Sequence, residues 1–153
     1  MPMILKKEKL AEYVLVEMGI SDWLEVDQGR INAFADATLD HQFIHVDEER
    51  AKAGPFGTTI AHGFLSLSLL PHFAETMGAA IEDTVMAINY GFDKVRFLQP
   101  VKVGSRVRAK ATLLDIQAKK AGQYLLRQEV AIEIDGEDKP ALIAEWLVMD
   151  IMG

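Results

Sequence analysis

A carboxylate and an imidazole stand five positions apart at Asp40 and His45, inside the densest polar run of the chain: Asp40, His41, Gln42, His45 and Asp47. The dipeptide His62-Gly63 follows shortly after. Residues five apart do not share a helical face, but a loop brings two such groups onto one water molecule, where one withdraws a proton while the other supplies one. Their ordinary pKa values, about 3.9 and 6.5, allow one to be ionised while the other switches near neutral pH. With 11 Asp and 4 His in 153 residues, about 0.3 Asp-x4-His pairs arise by chance, so the spacing depends on its context. A metal site from Asp40, His41, His45 and Asp47 is conceivable, since zinc takes imidazole and carboxylate ligands. Gln42 and Phe43 interrupt that set, and no second histidine pair at helical spacing joins it, so the site reads as metal-free. His41 reads as a solvated neighbour, Asp47 as the cap of the next helix, His62 as a packed histidine orienting the Gly63 turn, and His72 has no partner in the sequence.

The hydrophobic pattern indicates what must hold these groups. Leu10, Tyr13, Val14, Val16 and Met18 predict a loosely amphipathic N-terminal helical extension, about residues 1–20, that stops at Gly19. Trp23, Leu24 and Val26 suit a short strand within Ser21 to Val26, and Asp27 caps a helix carrying Ile31, Phe34 and Ala35 that ends near Ala37. Gly54, Pro55 and Gly57 break the chain. Phe64, Leu65, Leu67, Leu69 and Leu70 are then apolar around most of a helix, which marks a buried element, and Pro71 kinks or restarts it. After Gly78 the residues read as strands: Val85 to Tyr90, Val95 to Phe97, Val103 to Leu114, Tyr124 to Ile134 and Ala141 to Met149. Turn signals at Gln99-Pro100, Gly122 and Asp135-Gly136 separate the later ones. Short connections make the strands largely antiparallel, so the expectation is an α+β chain whose sheet wraps the buried helix. Long strands leave edges to cover, and a homodimer is the economical way to cover them.

Composition narrows the class. At 153 residues, 50% hydrophobic and 25% charged, one domain over 1–153 is expected, and intrinsic disorder is excluded. The net charge of -7 repels a phosphate backbone, so no nucleic-acid partner is expected. Without cysteine, disulfides, thiolate catalysis and cysteine-ligated zinc are excluded together. The start MPMILKKEKLAEY lacks the apolar core of a secretory signal, and the apolar stretch from Ile60 to Leu70 is too short to span a bilayer. A cytoplasmic protein with no membrane partner is the expectation.

The context that Asp40 and His45 need is specific. Phe34-Ala35, Thr38, Asp40, His45, Asp47, Phe56-Gly57, Ala61-His62-Gly63 and Ser68 fall in one window, followed by Val95-Arg96-Phe97, Pro100-Val101 and Gly104. This pattern resembles the MaoC-like (R)-specific enoyl-CoA hydratases, and most closely their single-domain branch related to nodulation protein N. The resemblance runs from about Trp23 to Met149. It implies a hot-dog fold, an antiparallel sheet around a long central helix, and a homodimer. It further implies syn addition of water across trans-2-enoyl-CoA to give (R)-3-hydroxyacyl-CoA, with no metal or redox cofactor. The resemblance puts the catalytic pair on Asp40 and His45, the oxyanion-hole amide on Gly63, and substrate contacts on Ser68 and on Gln42. Two departures stand out: Leu39 where the family usually has glycine, and Gln42-Phe43 where it has asparagine-proline. They bear on acyl-chain preference more than on reaction type. The chemistry suits the residue types, because charge that grows on the thioester oxygen is met by a backbone N–H at the start of the buried helix. An acyl-CoA thioesterase would use the same amide and aim water at the carbonyl instead. A non-catalytic acyl-thioester-binding subunit is the other alternative, and the presence of both Asp40 and His45 argues against it. Which of the two is the base, and whether coenzyme A or an acyl-carrier protein carries the acyl group, stays open at this level.

Overall fold

The chain begins with a short strand, β1 (Met3–Leu5), a 3-10 helix over Lys7–Tyr13, and strands β2 (Glu17–Ile20) and β3 (Leu24–Glu25). Helices α1 (Gln28–Thr38), α2 (Phe43–Val46), α3 (Glu48–Lys52), α4 (Gly63–Ser68) and α5 (Leu70–Met77) follow. The rest is strand: β4 (Ala79–Ile81), β5 (Thr84–Phe97), β6 (Arg106–Ala118), β7 (Gln123–Ile134) and β8 (Leu142–Met152). The computed structural model describes residues 1–153.

Period-two alternation builds the sheet. Val107, Ala109, Ala111 and Leu113 on β6, Leu126, Val130 and Ile132 on β7, and Leu142, Ala144, Trp146 and Val148 on β8 all face inward and are buried. The strands pair antiparallel in the order β2-β6-β7-β8-β5, with β3 also on β6, while β1 and β4 make a separate parallel ribbon. Tight turns at Gly122 and Gly136, with φ of 75° and 82°, join the long strands as their residue types predict. Against the inner face lies a helical run, α4 then α5, which buries Leu65, Leu69, Leu70, Phe73 and Met77. The run is interrupted at Leu69, just before Pro71, which has no N–H to return to the preceding turn. It stops at Gly78, where a β-carbon would sit 2.8 Å from the Ala74 carbonyl oxygen. The α+β arrangement expected of a hot-dog fold, an antiparallel sheet around the central helix, is therefore the one observed.

The N-terminal part differs from its sequence pattern. No helix runs to Gly19; the chain makes the 3-10 turn, reverses at Leu15 with φ of 66°, and then enters β2 along β6. Val14, Val16 and Met18 are also spaced two apart, which is a strand period, and pairing with β6 outweighs the weak helical one. The strand expected over Ser21 to Val26 shrinks to β3: Ser21 bonds Ala109 and Val26 bonds Gly104 and Ser105, but no continuous ladder joins them. The two segments read as separate strands, Val85 to Tyr90 and Val95 to Phe97, are one strand, β5, that absorbs three register shifts.

Asp27 caps α1 by accepting from the Arg30 amide at 2.8 Å, and the helix ends at Leu39, a left-handed residue with φ of 65° whose side chain is 81% exposed. At the far edge of the sheet, strand β5 pairs with β8 on one flank only and leaves Val85, Met86, Ile88 and Tyr90 exposed.

Candidate active site

Asp40 follows the left-handed turn at Leu39 and belongs to no regular element. Its Oδ1 accepts the Gln42 amide at 3.3 Å, and its main-chain oxygen accepts from His62 Nε2 at 2.9 Å. The carboxylate is half exposed. His45 lies on the single turn α2 and is buried. Its Nδ1 meets the Ile60 main-chain oxygen at 2.7 Å. A carbonyl only accepts, so Nδ1 carries the proton and Nε2 keeps a free lone pair. Burial holds this imidazole below its ordinary 6.5, with nearby His62 adding to the effect, against the opposing pull of the Ile60 carbonyl and Asp40.

The backbone of His45 is fixed by a residue that the sequence pattern did not single out. Gln28, on the first turn of α1, donates to the His45 oxygen at 2.7 Å and accepts from the hydroxyl of fully buried Thr59 at 2.6 Å. Ile60 in turn donates its amide to the Ile44 oxygen at 2.9 Å. The segment before α4 therefore grips α2 at ring and backbone together.

His62, the residue before α4, is buried and stacks on His45, with ring centroids 3.8 Å apart and 24° between planes. Phe34 of α1 closes the other side at 4.9 Å. One potential ligand atom from each of Asp40, His45 and His62 lies within 4.8 Å of the others. Stacked imidazoles hold their in-plane lone pairs in two nearly parallel planes about 3.8 Å apart, so the two rings converge poorly on one ion and this trio fits a metal poorly. The four-residue set conceivable from the sequence is not assembled. His41 turns outward to Asp36 at 2.8 Å, and Asp47 caps α3 through the Arg50 amide at 3.1 Å.

A cleft of about 460 Å3 opens over Asp40, His45, His62 and Gly63. Ile44, Phe64, Phe97, Leu98, Val101 and Leu142 give it an apolar wall. Gly63 begins α4, and its amide bonds to no other backbone group. A β-carbon there would come within 2.9 Å of the Phe97 ring, so glycine is what lets the sheet residue close on the helix start.

The two residues expected from the resemblance to contact substrate, Ser68 and Gln42, do not line this cleft. Ser68 is exposed, does not line the cleft, and spends its hydroxyl on the Phe64 oxygen at 2.6 Å. Ser66 is buried and does line it. Helical geometry accounts for the difference: three residues on from Gly63 lies on nearly the same face, whereas five on is turned well away. Gln42 is exposed and outside the cleft, contributing its main-chain amide to Asp40. Arg96 donates to the Val95 carbonyl at 2.8 Å.

The family model described as MaoC like domain matches residues 16–133. The chain is 50% identical over 132 residues to 3-hydroxyacyl-thioester dehydratase Z of Mycobacterium tuberculosis, covering 86% of this chain and 87% of that one. It is also 50% identical over 134 residues to nodulation protein N of Rhizobium leguminosarum bv. viciae, covering 87% and 83%. Among solved structures, the MaoC-like dehydratase from Rhodospirillum rubrum superposes with a TM-score of 0.76 at 22% identity, covering 97% of this chain and 98% of that one.

Proposed function

This chain belongs to the MaoC-like domain family, and on that premise we propose that it adds water reversibly across trans-2-enoyl-CoA, giving (R)-3-hydroxyacyl-CoA, and that it works as a homodimer without a metal. The observation that carries the reading is the free Nε2 of a neutral, buried His45, held beside Asp40 in the apolar cleft that Gly63 lines. The name of the M. tuberculosis relative supports a 3-hydroxyacyl thioester as one end of the reaction.

In the hydration direction, His45 Nε2 takes a proton from water as the water oxygen bonds to the β-carbon. The π electrons move onto the thioester oxygen, where the Gly63 amide meets the developing charge. The imidazolium then returns the proton to the α-carbon on the same face, so H and OH add syn and the histidine ends as it began. Asp40 accepts the second hydrogen of the water, which orients the nucleophile and stabilises the transient imidazolium. The side of β5 that faces away from β8 supports the dimer: an unpaired edge strand with Val85, Met86, Ile88 and Tyr90 exposed is a pairing surface for a second copy.

A panel of trans-2-enoyl-CoA substrates from short to long chains tests the reading. Loss of enoyl absorbance with formation of the (R)-alcohol is the expected result. Release of free thiol without hydration would make the protein a thioesterase, and no turnover at any chain length would make it a binding subunit.

A further inference from the structure

Building on the hydratase reading, we propose that His62 is a positioning residue for both Asp40 and His45, joined to one by a hydrogen bond and to the other by a ring stack. Neither contact requires its chemistry to reach the substrate. If His62 only filled space beside Phe34, a hydrocarbon ring would serve better, because the Nδ1 of His62 is buried with no partner. An unpaired buried acceptor is a cost, and a histidine that carries it needs a compensating role.

The compensation lies at the other nitrogen. Nε2 meets the Asp40 main-chain oxygen at 2.9 Å. Asp40 lies between α1 and α2, in a stretch without a ladder or helix of its own, directly after the left-handed Leu39. This bond therefore anchors the peptide from which the carboxylate projects. The ring of His62 also lies 3.8 Å from that of His45, which fixes the plane in which His45 Nε2 presents its lone pair.

The same geometry keeps the proton in place. Facing a carbonyl, Nε2 must be the protonated nitrogen, and a charged ring would need a second N–H at Nδ1, where no acceptor stands. The hydrogen on His62 Nε2 is thus committed to the Asp40 main chain.

The experiment uses the full chain with 15N-labelled histidine. Long-range imidazole spectra of the wild type are expected to show the hydrogen of His62 on Nε2; a ring with its only hydrogen on Nδ1 would overturn the proposal. In His62→Phe, which keeps ring volume but loses the donor, the amide resonances of Asp40, His41 and Gln42 should shift. Its kcat on trans-2-butenoyl-CoA should fall about 10-fold to 100-fold with KM within about twofold, as misplacement of a reacting group predicts. His62→Gln, whose amide nitrogen reaches the Nε2 position but which has no ring to stack on His45, should restore the resonances and part of kcat. A Phe variant that turns over like the wild type, or a Gln variant no better than Phe, would refute the role. If the wild type hydrates no enoyl-CoA, the reaction assignment fails while the spectra still decide the role of His62.

Discussion

Gln28 holds His45 by its main chain: the side-chain amide donates to the His45 oxygen at 2.7 Å while its own oxygen receives the Thr59 hydroxyl at 2.6 Å. Because Thr59 is fully buried, removing its hydroxyl leaves an acceptor poorly satisfied beside the site. Thr59→Val should cost about 1–3 kcal/mol in urea unfolding. Gln28→Ala should lower kcat about 10-fold, since the His45 turn loses its outer tether. Steady-state kinetics beside a denaturation curve for each variant separates the two effects.

Asp40→Asn keeps size and hydrogen bonding but removes the charge, and His45→Gln removes the basic nitrogen. Each should lower kcat by about 10²-fold to 10⁴-fold, the usual weight of an acid-base group. Circular dichroism and melting should change little in Asp40→Asn, whose side chain is half exposed. Turnover equal to wild type in either variant would remove the pair from the reaction.

The acid limb of the rate profile comes from the environment of His45. Catalysis in the hydration direction needs the neutral ring, and burial lowers its pKa below 6.5. The kcat should therefore hold through pH 6.5 and decline only as pH falls through the lowered value. Stability moves in the same direction: the contribution is present above 6.5 and is lost as pH falls through the folded-state value. A rate that already halves above pH 6.5 with His45 as the titrating group would contradict this.

Asp150 behaves oppositely. It is 1% exposed, accepts from the Ile81 amide and the Thr84 hydroxyl with Oδ2, and leaves Oδ1 without a partner. Burial outweighs both donors and raises the carboxyl above its ordinary 3.8. Its contribution is thus full below 3.8 and lost as pH rises through the folded-state value. Melting temperatures should show the wild type losing ground to Asp150→Asn between pH 4 and 7, and a gap independent of pH would count against the assignment.

Ile88, on β5 and 45% exposed, probes the assembly. Ile88→Lys places a charge on the unpaired edge strand and should shift sedimentation from twice the monomer mass to one chain, with wild type and variant run side by side.

Features encoded locally were legible from the residues alone. The caps at Asp27 and Asp47, the stop at Gly78 and the turn at Asp135-Gly136 depend on side chains and dihedrals within a few positions, and the structure has each of them. The strands after Gly78 were legible from their alternation, although only pairing with β8 decides that Thr84 to Phe97 is continuous. What escaped depends on distant partners. Met18 and its neighbours become a strand because β6 lies alongside, and β6 comes some ninety residues later. In the site, Asp40, His45 and Gly63 were identifiable by type and context, and they do line one cleft. Ser66 and Ser68 differ only in which way the helix turns them, and the weight of Gln28 shows only once α1 packs on α2.

The left-handed residue at the end of α1 leaves this scaffold something in reserve. Leu39 carries a β-branch-free but bulky side chain in a conformation that costs an L-residue about 1–2 kcal/mol, and that side chain faces solvent. Nothing in the reaction draws on it. A glycine there would relax the turn next to Asp40, so rigidity and speed could be tuned against one another from a position that does not line the cleft.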